Sequence, residues 1–369
     1  MINKAFKGLL FYIIAAIIVY WCTHLIIHSK CVKDEIISAI ERCINIIIPS
    51  LFAFMVMSSF IIKSSIYKYI AIPFYPITKY IMKMPSSLFF VFLLGNISGY
   101  PVGAKLLLDM FKARRIDKKA AEIAICFCYG GGPAFFTGTI GLAIFNSTKA
   151  GLLIFISVLF SNFIIACIMC RICIIKCNKN DETVSFSADY LIDSIISAGK
   201  SLFVVCVTIL FFSCIMAILD AEGLFQLIQH MGLNDEYCTL IKSILEISYI
   251  SNLSANSINL IPIIAGLCSF GGVCVIMQVK AIVGNSFSLK RFMLSRVGSC
   301  LLSYLITKAL LKLFADSIMP ALSEKVEISI MADNLLPSIC LIIMIFIVAF
   351  SDNHHTKRKA VLTQSENSL

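Results

Sequence analysis

The sequence predicts an all-α polytopic membrane protein with about eight transmembrane helices and two re-entrant hairpins, arranged as two inverted repeats. Composition is the first observation: 59% of the residues are hydrophobic and only 14% are charged, whereas soluble domains carry about 25% charged residues. The second is a series of apolar runs near the length of about 20 residues that a membrane helix needs. The third is that Gly, Pro and polar residues interrupt several of these runs, which is typical of transporters with broken helices.

The N-terminal part, 1–43, is predicted to contain one helix and one loop. Its apolar run, 8–28, follows a basic start, but no small-residue cleavage site comes after it. We therefore predict a retained first span rather than a signal peptide. The next segment, 29–42, has balanced charges and is predicted to be a loop.

Residues 44–175 are predicted to form the first repeat. Its elements are a span at 44–62, an interfacial segment at 63–83, a hairpin at 86–111, a broken helix at 120–145 and a returning span at 150–175. Basic residues lie on both sides of the hairpin, and Lys and Arg are enriched in cytoplasmic loops. Two arms of about ten residues, about 15 Å each, reach the bilayer centre and no further. The segment is therefore predicted to re-enter the membrane rather than to cross it.

A cytoplasmic linker, 176–198, is predicted to lead into the second repeat, 199–314. The elements of that repeat are a span at 200–219, a hairpin at 237–260, a broken helix at 261–283 and a span at 291–314. An external loop and a final helix are predicted for 315–350. The tail, 351–369, carries a basic cluster, which places both chain ends in the cytoplasm.

The two repeats start from opposite sides of the membrane, so they are predicted to be inverted. Gly95 corresponds to Glu246, and Tyr129 corresponds to Phe270, at the paired interruptions. Inverted repeats with paired broken helices indicate a central solute site in a secondary transporter. The alternative is a pair of kinked helices that pack through small residues.

Residues at these breaks are the candidates for substrate binding. Irregular backbone at membrane depth must be buried in protein or line a cavity, because lipid offers it no hydrogen-bond partners. Helix N-termini at the breaks attract small anions, and glycine permits close approach of the backbone. The candidates are Asn96, Ser98, Gly99, Tyr100, Gly103 and Lys105 in the first patch, Tyr129 and Gly131 in the second, and Ser269, Phe270 and Gly271 in the third.

Three charged side chains lie within apolar runs. Glu246 is the candidate ion-coupling residue, because intramembrane carboxylates are costly and usually functional. Its alternative role is a structural pair with Lys242 or with a backbone N–H freed at the break. Lys105 either reaches a carboxylate of the solute or pairs with Asp109 at i,i+4 spacing. Arg296 is predicted to snorkel or to pair rather than to bind solute.

Three motifs carry a resemblance to a known family. They are Gly95-x-x-x-Gly99-Tyr100-Pro101-x-Gly103-Ala104-Lys105, then Gly132-Pro133, and then Ser269-Phe270-Gly271-Gly272 followed by Gln278. These motifs resemble the YlbJ-type sporulation integral membrane proteins, part of the wider nucleoside-recognition, or gate-domain, family of endospore formers. The resemblance covers about 44–314. It implies a multi-pass cell-membrane protein that moves dipicolinate from the mother cell across the outer forespore membrane during sporulation.

The predicted function is secondary transport of a small anionic aromatic solute, for which the resemblance implies dipicolinate. This solute is a planar pyridine with two carboxylates, and Tyr129 or Phe270 is the candidate ring for stacking on it. Two alternatives stay open. One is a carrier of a nucleoside or of another dicarboxylate, and the other is a non-transporting scaffold subunit of a sporulation complex.

No catalytic, cofactor or metal site is predicted. The sequence has no nucleophile–base motif, so an enzyme is not expected. Cysteines 167, 170, 173 and 177 have the spacing of an iron–sulfur run, but they continue an apolar helix, where cysteine serves as a small hydrophobe. No basic stripe with interleaved aromatics indicates nucleic acid. The expected partners are a small-molecule anion and the lipid bilayer, and a homo-oligomer stays open.

Overall fold

The computed structural model describes residues 2–173, 184–253 and 257–323, and every regular element within these ranges is helical. Five helices are long and apolar enough to cross a membrane: Ser29–Lys63, Thr148–Ile172, Ala188–Ala221, Ile258–Val283 and Lys290–Leu313. Shorter apolar helices occupy Phe11–Ile27, Ser86–Ile97 and Phe135–Phe145. The all-α membrane class is therefore confirmed, whereas the eight crossings and the two inverted repeats remain predictions.

Breaks divide these spans into shorter elements. The α-helices are α1 (Ile2–Ile27), α2 (Ser29–Arg42), α3 (Ile48–Lys63), α4 (Tyr67–Ile70), α5 (Ser86–Ile97), α6 (Val102–Lys112), α7 (Lys118–Ala124), α8 (Ala143–Phe145), α9 (Thr148–Ile172), α10 (Ala188–Ala221), α11 (Leu224–His230), α12 (Asp235–Leu245), α13 (Ile261–Phe270), α14 (Gly272–Val283) and α15 (Lys290–Ser323). Segments of 3-10 helix occupy Ile72–Phe74, Ile247–Asn252 and Ile258–Leu260, and π-helical segments occupy Cys43–Ile47, Ile77–Met82 and Phe135–Leu142.

Helices α5 and α6 form a hairpin. Both of its outer ends lie near the end of α3: the ring of Phe90 packs 6.2 Å from that of Tyr67, and Arg115 Nη1 donates to the Ile62 carbonyl at 2.5 Å. The arms have 12 and 11 residues, about 18 and 17 Å of helix, which is shorter than a bilayer core of about 30 Å. The helix pair therefore has the dimensions predicted for 86–111, and its re-entry into the membrane stays a prediction.

The structure differs from the predicted boundaries at three places. The segment predicted as a loop, 29–42, is helix α2, because Val32 and Ala39 are buried on one helical face against α10. Its charged residues Lys30, Lys33, Asp34 and Glu41 are exposed. Residues 188–198 of the predicted linker are the first turns of α10. The predicted external loop from 315 begins as a continuation of α15, which ends at Ser323.

The second predicted hairpin, 237–260, has one α-helical arm rather than two. After α12 the chain continues as the 3-10 segment Ile247–Asn252. This stretch is rich in Ser and Asn, whose side chains compete with helical hydrogen bonds. Glu246 caps the segment, since its carboxylate accepts from the Ser248 N–H at 3.1 Å.

Several predicted features lie outside the described residues. They are residues 176–183 of the linker, the final helix near 335–350, the tail 351–369 and Cys177 of the cysteine run. Cys167 and Cys170 lie on α9, and Cys173 follows its last residue.

Candidate solute-binding site

A cavity of about 160 Å³ lies where the tip of the α5–α6 hairpin meets α3, α10, α14 and the start of the 3-10 segment Ile247–Asn252. Its walls are mainly apolar, with Ile47, Leu51, Val205, Ile209, Ile247 and Val275 among them. Its polar side chains are Ser50, Ser98, Tyr100, Thr139, Glu246, Ser248 and Gln278. The cavity therefore offers an apolar interior with a small number of hydrogen-bonding groups, as small-molecule sites do.

The hairpin tip places two polar side chains in the cavity wall. Gly99 has φ +89°, a conformation that glycine adopts without strain, and it reverses the chain between the two arms. The Ser98 hydroxyl lies 3.1 Å from the hydroxyl of Ser58 on α3. The Tyr100 hydroxyl donates to the Cys268 carbonyl in the second broken helix. The tip is thus attached both to α3 and to α13.

The first broken helix contributes its second helical half. Residues 129–132 are not helical, and a helix starts at Pro133 and continues through Phe135–Leu142 to α8. Gly131, Gly132 and the first three residues of that helix line the cavity. The first N–H groups of a helix have no partner within the helix and carry partial positive charge. This end of the cavity is therefore suited to a carboxylate.

Glu246 is the acidic group of the cavity. It is 1% exposed, and it accepts hydrogen bonds from both the N–H and the hydroxyl of Ser248. Its predicted structural pair with Lys242 is wrong, because Lys242 Nζ lies 2.6 Å from Asp220 Oδ1 instead. The other alternative, a bond to a backbone N–H at the break, is present. Glu246 thus caps the break and faces the cavity with the same carboxylate.

A buried polar network lies behind the cavity and joins the two broken helices. Asn162 Nδ2 on α9 donates at 2.7 Å to both the Asn96 Oδ1 and the Tyr129 carbonyl. The Tyr129 hydroxyl donates to the Phe270 carbonyl at 3.3 Å. Each break therefore has carbonyl groups satisfied by side chains from other elements, as irregular buried backbone requires.

Arg296 of α15 is the charged member of this network. It is 0% exposed, so the predicted snorkelling is wrong. Its Nη2 donates to the Cys126 carbonyl and its Nη1 lies 3.4 Å from the Ser269 carbonyl. The guanidinium also lies 4.7 Å from the centre of the Tyr129 ring. Among the described residues its hydrogen-bond partners are carbonyl, amide and hydroxyl oxygens, and none is a carboxylate.

The structure places four predicted site residues in the cavity wall: Ser98, Tyr100, Gly131 and Glu246. The other candidates are not among the residues that line it, namely Asn96, Gly99, Gly103, Lys105, Tyr129, Ser269, Phe270 and Gly271. Lys105 forms the predicted pair with Asp109, since its Nζ lies 2.8 Å from Asp109 Oδ2 and 3.0 Å from the Ser59 hydroxyl. Ser269 bonds Ser299 at 2.5 Å.

Several residues of the site and its support were not among the sequence candidates. Ser50, Ser248 and Gln278 line the cavity. Asn162 supports the first break, and Arg296 supports both breaks. Their signal in the sequence is a single polar residue in an apolar helix. That signal is weak because serine and asparagine also occur at helix–helix contacts.

Apolar helices of membrane-crossing length around a small cavity at helix breaks define a multi-pass integral membrane protein. Over 142 residues the chain is 24% identical to the sporulation integral membrane protein YlbJ of Bacillus subtilis strain 168. The match covers 38% of this chain and 35% of that relative, so the chain matches about a third of its length. The resemblance to YlbJ-type proteins seen in the motifs is confirmed by this match. No family model matches the chain, and no solved structure matches it.

Proposed function

We propose that this protein is a carrier of a small aromatic carboxylate, most specifically dipicolinate, which it moves from the mother cell across the outer forespore membrane during sporulation. The observation that carries the proposal is the cavity at the hairpin tip and the helix breaks. The relative named for sporulation supports the setting. The motif resemblance supports the choice of dipicolinate.

The size of the cavity fits one aromatic ring. An apolar cavity of about 150 Å³ is known to hold benzene, and this one measures about 160 Å³. Apolar walls such as Leu51 and Val275 suit the faces of a planar ring. The Ser98 hydroxyl lies in the wall. It can donate its one proton to a carboxylate oxygen while it accepts from the Ser58 hydroxyl.

The charge of the cavity favours a solute that arrives with a proton. Glu246 is its acidic residue, and neither Lys nor Arg is present among the residues that line it. Two like charges 4 Å apart repel by about 4 kcal/mol at an effective dielectric constant of about 20. A dianion beside an ionised Glu246 is therefore disfavoured, whereas a protonated Glu246 donates a hydrogen bond to a carboxylate. We propose that uptake of the solute is coupled to protonation at this position.

The test is uptake of labelled dipicolinate into vesicles that contain only this protein, with and without an inward proton gradient. Glu246→Gln keeps the shape of the side chain and removes its titration, so we expect it to abolish gradient-driven accumulation. Glu236→Gln is the matched control, because Glu236 lies in the first turn of α12, the helix that ends directly before Glu246, and outside the cavity. Normal accumulation by Glu246→Gln contradicts the coupling role.

A second pair of variants tests the cavity itself. Val205 lines it and is 2% exposed, whereas Val207 on the same helix is 40% exposed. We expect Val205→Phe to fill the cavity and to reduce dipicolinate binding at least tenfold, about 1.4 kcal/mol. Val207→Phe should bind as the unchanged protein does. Equal binding by the two variants rules out this cavity as the site.

One observation favours a second candidate, a carrier of a neutral aromatic solute such as a nucleoside. A cavity with one carboxylate and no cationic lining residue suits an uncharged ring with hydrogen-bond donors. Its volume opposes a nucleoside, which adds a sugar to the base. If vesicles take up labelled nucleosides but not dipicolinate, this second candidate is selected. If they take up neither solute, the result supports the scaffold alternative.

A further inference from the structure

The junction between α1 and the end of α10 holds three side chains of the types that bind transition metals. His24 lies on α1, His28 lies at the turn between α1 and α2, and Glu222 directly follows α10. His24 Nδ1 lies 2.5 Å and His28 Nε2 lies 2.6 Å from Glu222 Oε1. The three ligand atoms all lie within 4.8 Å of one another. This group lies outside the cavity and has no role in the proposed transport.

The local fold brings these atoms together. Residues four apart on a helix share one face, so the two imidazoles stack with their ring centres 5.7 Å apart. Glu222 comes to them from a position 194 residues away from His28. The side chains are 19%, 23% and 33% exposed, so protein does not fully enclose the group.

We propose that His24, His28 and Glu222 form a site for a divalent transition metal of the zinc class. Two imidazole nitrogens and one carboxylate oxygen are a ligand set that Zn²⁺ takes, with a fourth position left to water or another ligand. Ligand atoms about 2.1 Å from a tetrahedral ion lie about 3.4 Å apart. The two nitrogen–oxygen distances must therefore widen by about 1 Å, which side-chain rotation can supply.

The arrangement differs from an ordinary ion pair. One carboxylate oxygen, Glu222 Oε1, lies within 2.6 Å of nitrogens from two imidazoles at once. His24 Nδ1 is buried and has no hydrogen bond of good geometry, although it lies close to that oxygen. Metals bind the neutral imidazole and the carboxylate, so an ion would take the place of the protons that these groups share.

A metal here would attach α1 to α10. Much of α1 is exposed, with Phe11 71% and Ile26 77% exposed. Its inward contact near the group is Trp21, which packs against Val32 and Ile218. An ion held by both helices adds a second attachment beside this apolar contact.

The test uses the full-length protein, purified in detergent and stripped of metal with a chelator. Co²⁺ serves as the probe, because it takes zinc sites, absorbs visible light when tetrahedral and quenches nearby fluorescence. Trp21 is the single tryptophan of the chain and lies three residues before His24, so its fluorescence reports on this site. We expect saturable quenching at one Co²⁺ per chain, reversed by one equivalent of Zn²⁺.

The variants decide whether these residues are the ligands. Removing a group that only hydrogen-bonds a metal ligand lowers metal affinity about 10–100-fold. Removing two ligands should cost more, so we expect the double variant His24→Gln, His28→Gln to bind Co²⁺ at least 100-fold more weakly. His230→Gln is the matched control, since His230 lies on α11 outside the group. Glu222→Gln retains both histidines and should weaken binding about tenfold. Unchanged quenching in Glu222→Gln and in the double variant, or no saturable quenching in the unchanged protein, overturns the proposal.

Discussion

Gly103→Ala is the sharpest test of how the hairpin is held against the first broken helix. An added Cβ at Gly103 would lie 1.8 Å from the Cys128 carbonyl oxygen, and real Cβ contacts essentially never fall below 3.0 Å. The two backbone segments must therefore separate by about 1.2 Å. Overpacking of this kind costs about 1–3 kcal/mol. Separation also lengthens the 3.0 Å hydrogen bond that Asn96 Nδ2 donates to the Phe127 carbonyl. Loss of this bond would leave a buried acceptor unsatisfied, which costs about 1–3 kcal/mol.

We expect Gly103→Ala to lose about 3 kcal/mol or more of unfolding free energy, which for 369 residues is about 4 °C in the midpoint of thermal unfolding. The assay is thermal unfolding of the detergent-purified protein, read by intrinsic fluorescence and by loss of the monodisperse peak. Gly298→Ala is the matched control, because a Cβ there meets nothing within 4 Å. On an exposed helix this control should be neutral or stabilising by up to about 1 kcal/mol. Equal midpoints for the two variants refute the close contact.

Two further substitutions separate structural from solute-binding roles. Lys105→Met leaves Asp109 unpaired, so we expect thermal stability to fall by about 2 kcal/mol while dipicolinate affinity per folded molecule stays within twofold. Adding Asp109→Leu should restore the midpoint, and a selective loss of affinity would instead return Lys105 to the binding site. Arg296→Lys keeps the charge, but one ammonium group cannot reach both the Cys126 and the Ser269 carbonyls. We therefore expect the free energy of unfolding to fall by about 2–4 kcal/mol. An unchanged unfolding midpoint in Arg296→Lys would show that these bonds contribute little.

The sequence predicts most reliably those elements whose signal is local. The hairpin over 86–111 was predicted from Gly, Pro and flanking charges, and α5 and α6 have that form. The balanced charges of 29–42 predict a loop, whereas Val32 and Ala39 are seven residues apart, which is two turns of a helix. That spacing gives the helix an apolar face, and packing on α10 decides its structure.

The candidate site is predicted less completely, because its parts come from distant elements. Ser98 and Tyr100 could be named from the motif at the hairpin tip, and both line the cavity. Asn162 and Arg296 are single polar residues in α9 and α15, and their partners appear only once those helices pack. The same holds for the metal group: the spacing of His24 and His28 is visible in the sequence, whereas Glu222 is 194 residues from His28.

The bond from Arg296 to the Cys126 carbonyl has a consequence for synthesis of the chain. The two residues are 170 positions apart, and a ribosome that adds about 5–20 residues per second needs about 9–34 s to cover that distance. During this interval the carbonyl at the first break has no guanidinium to bond, and lipid offers no substitute. Until α15 emerges, this carbonyl needs water or another polar group as its hydrogen-bond partner. The break made early in translation is thus completed by the last long helix that the structure describes.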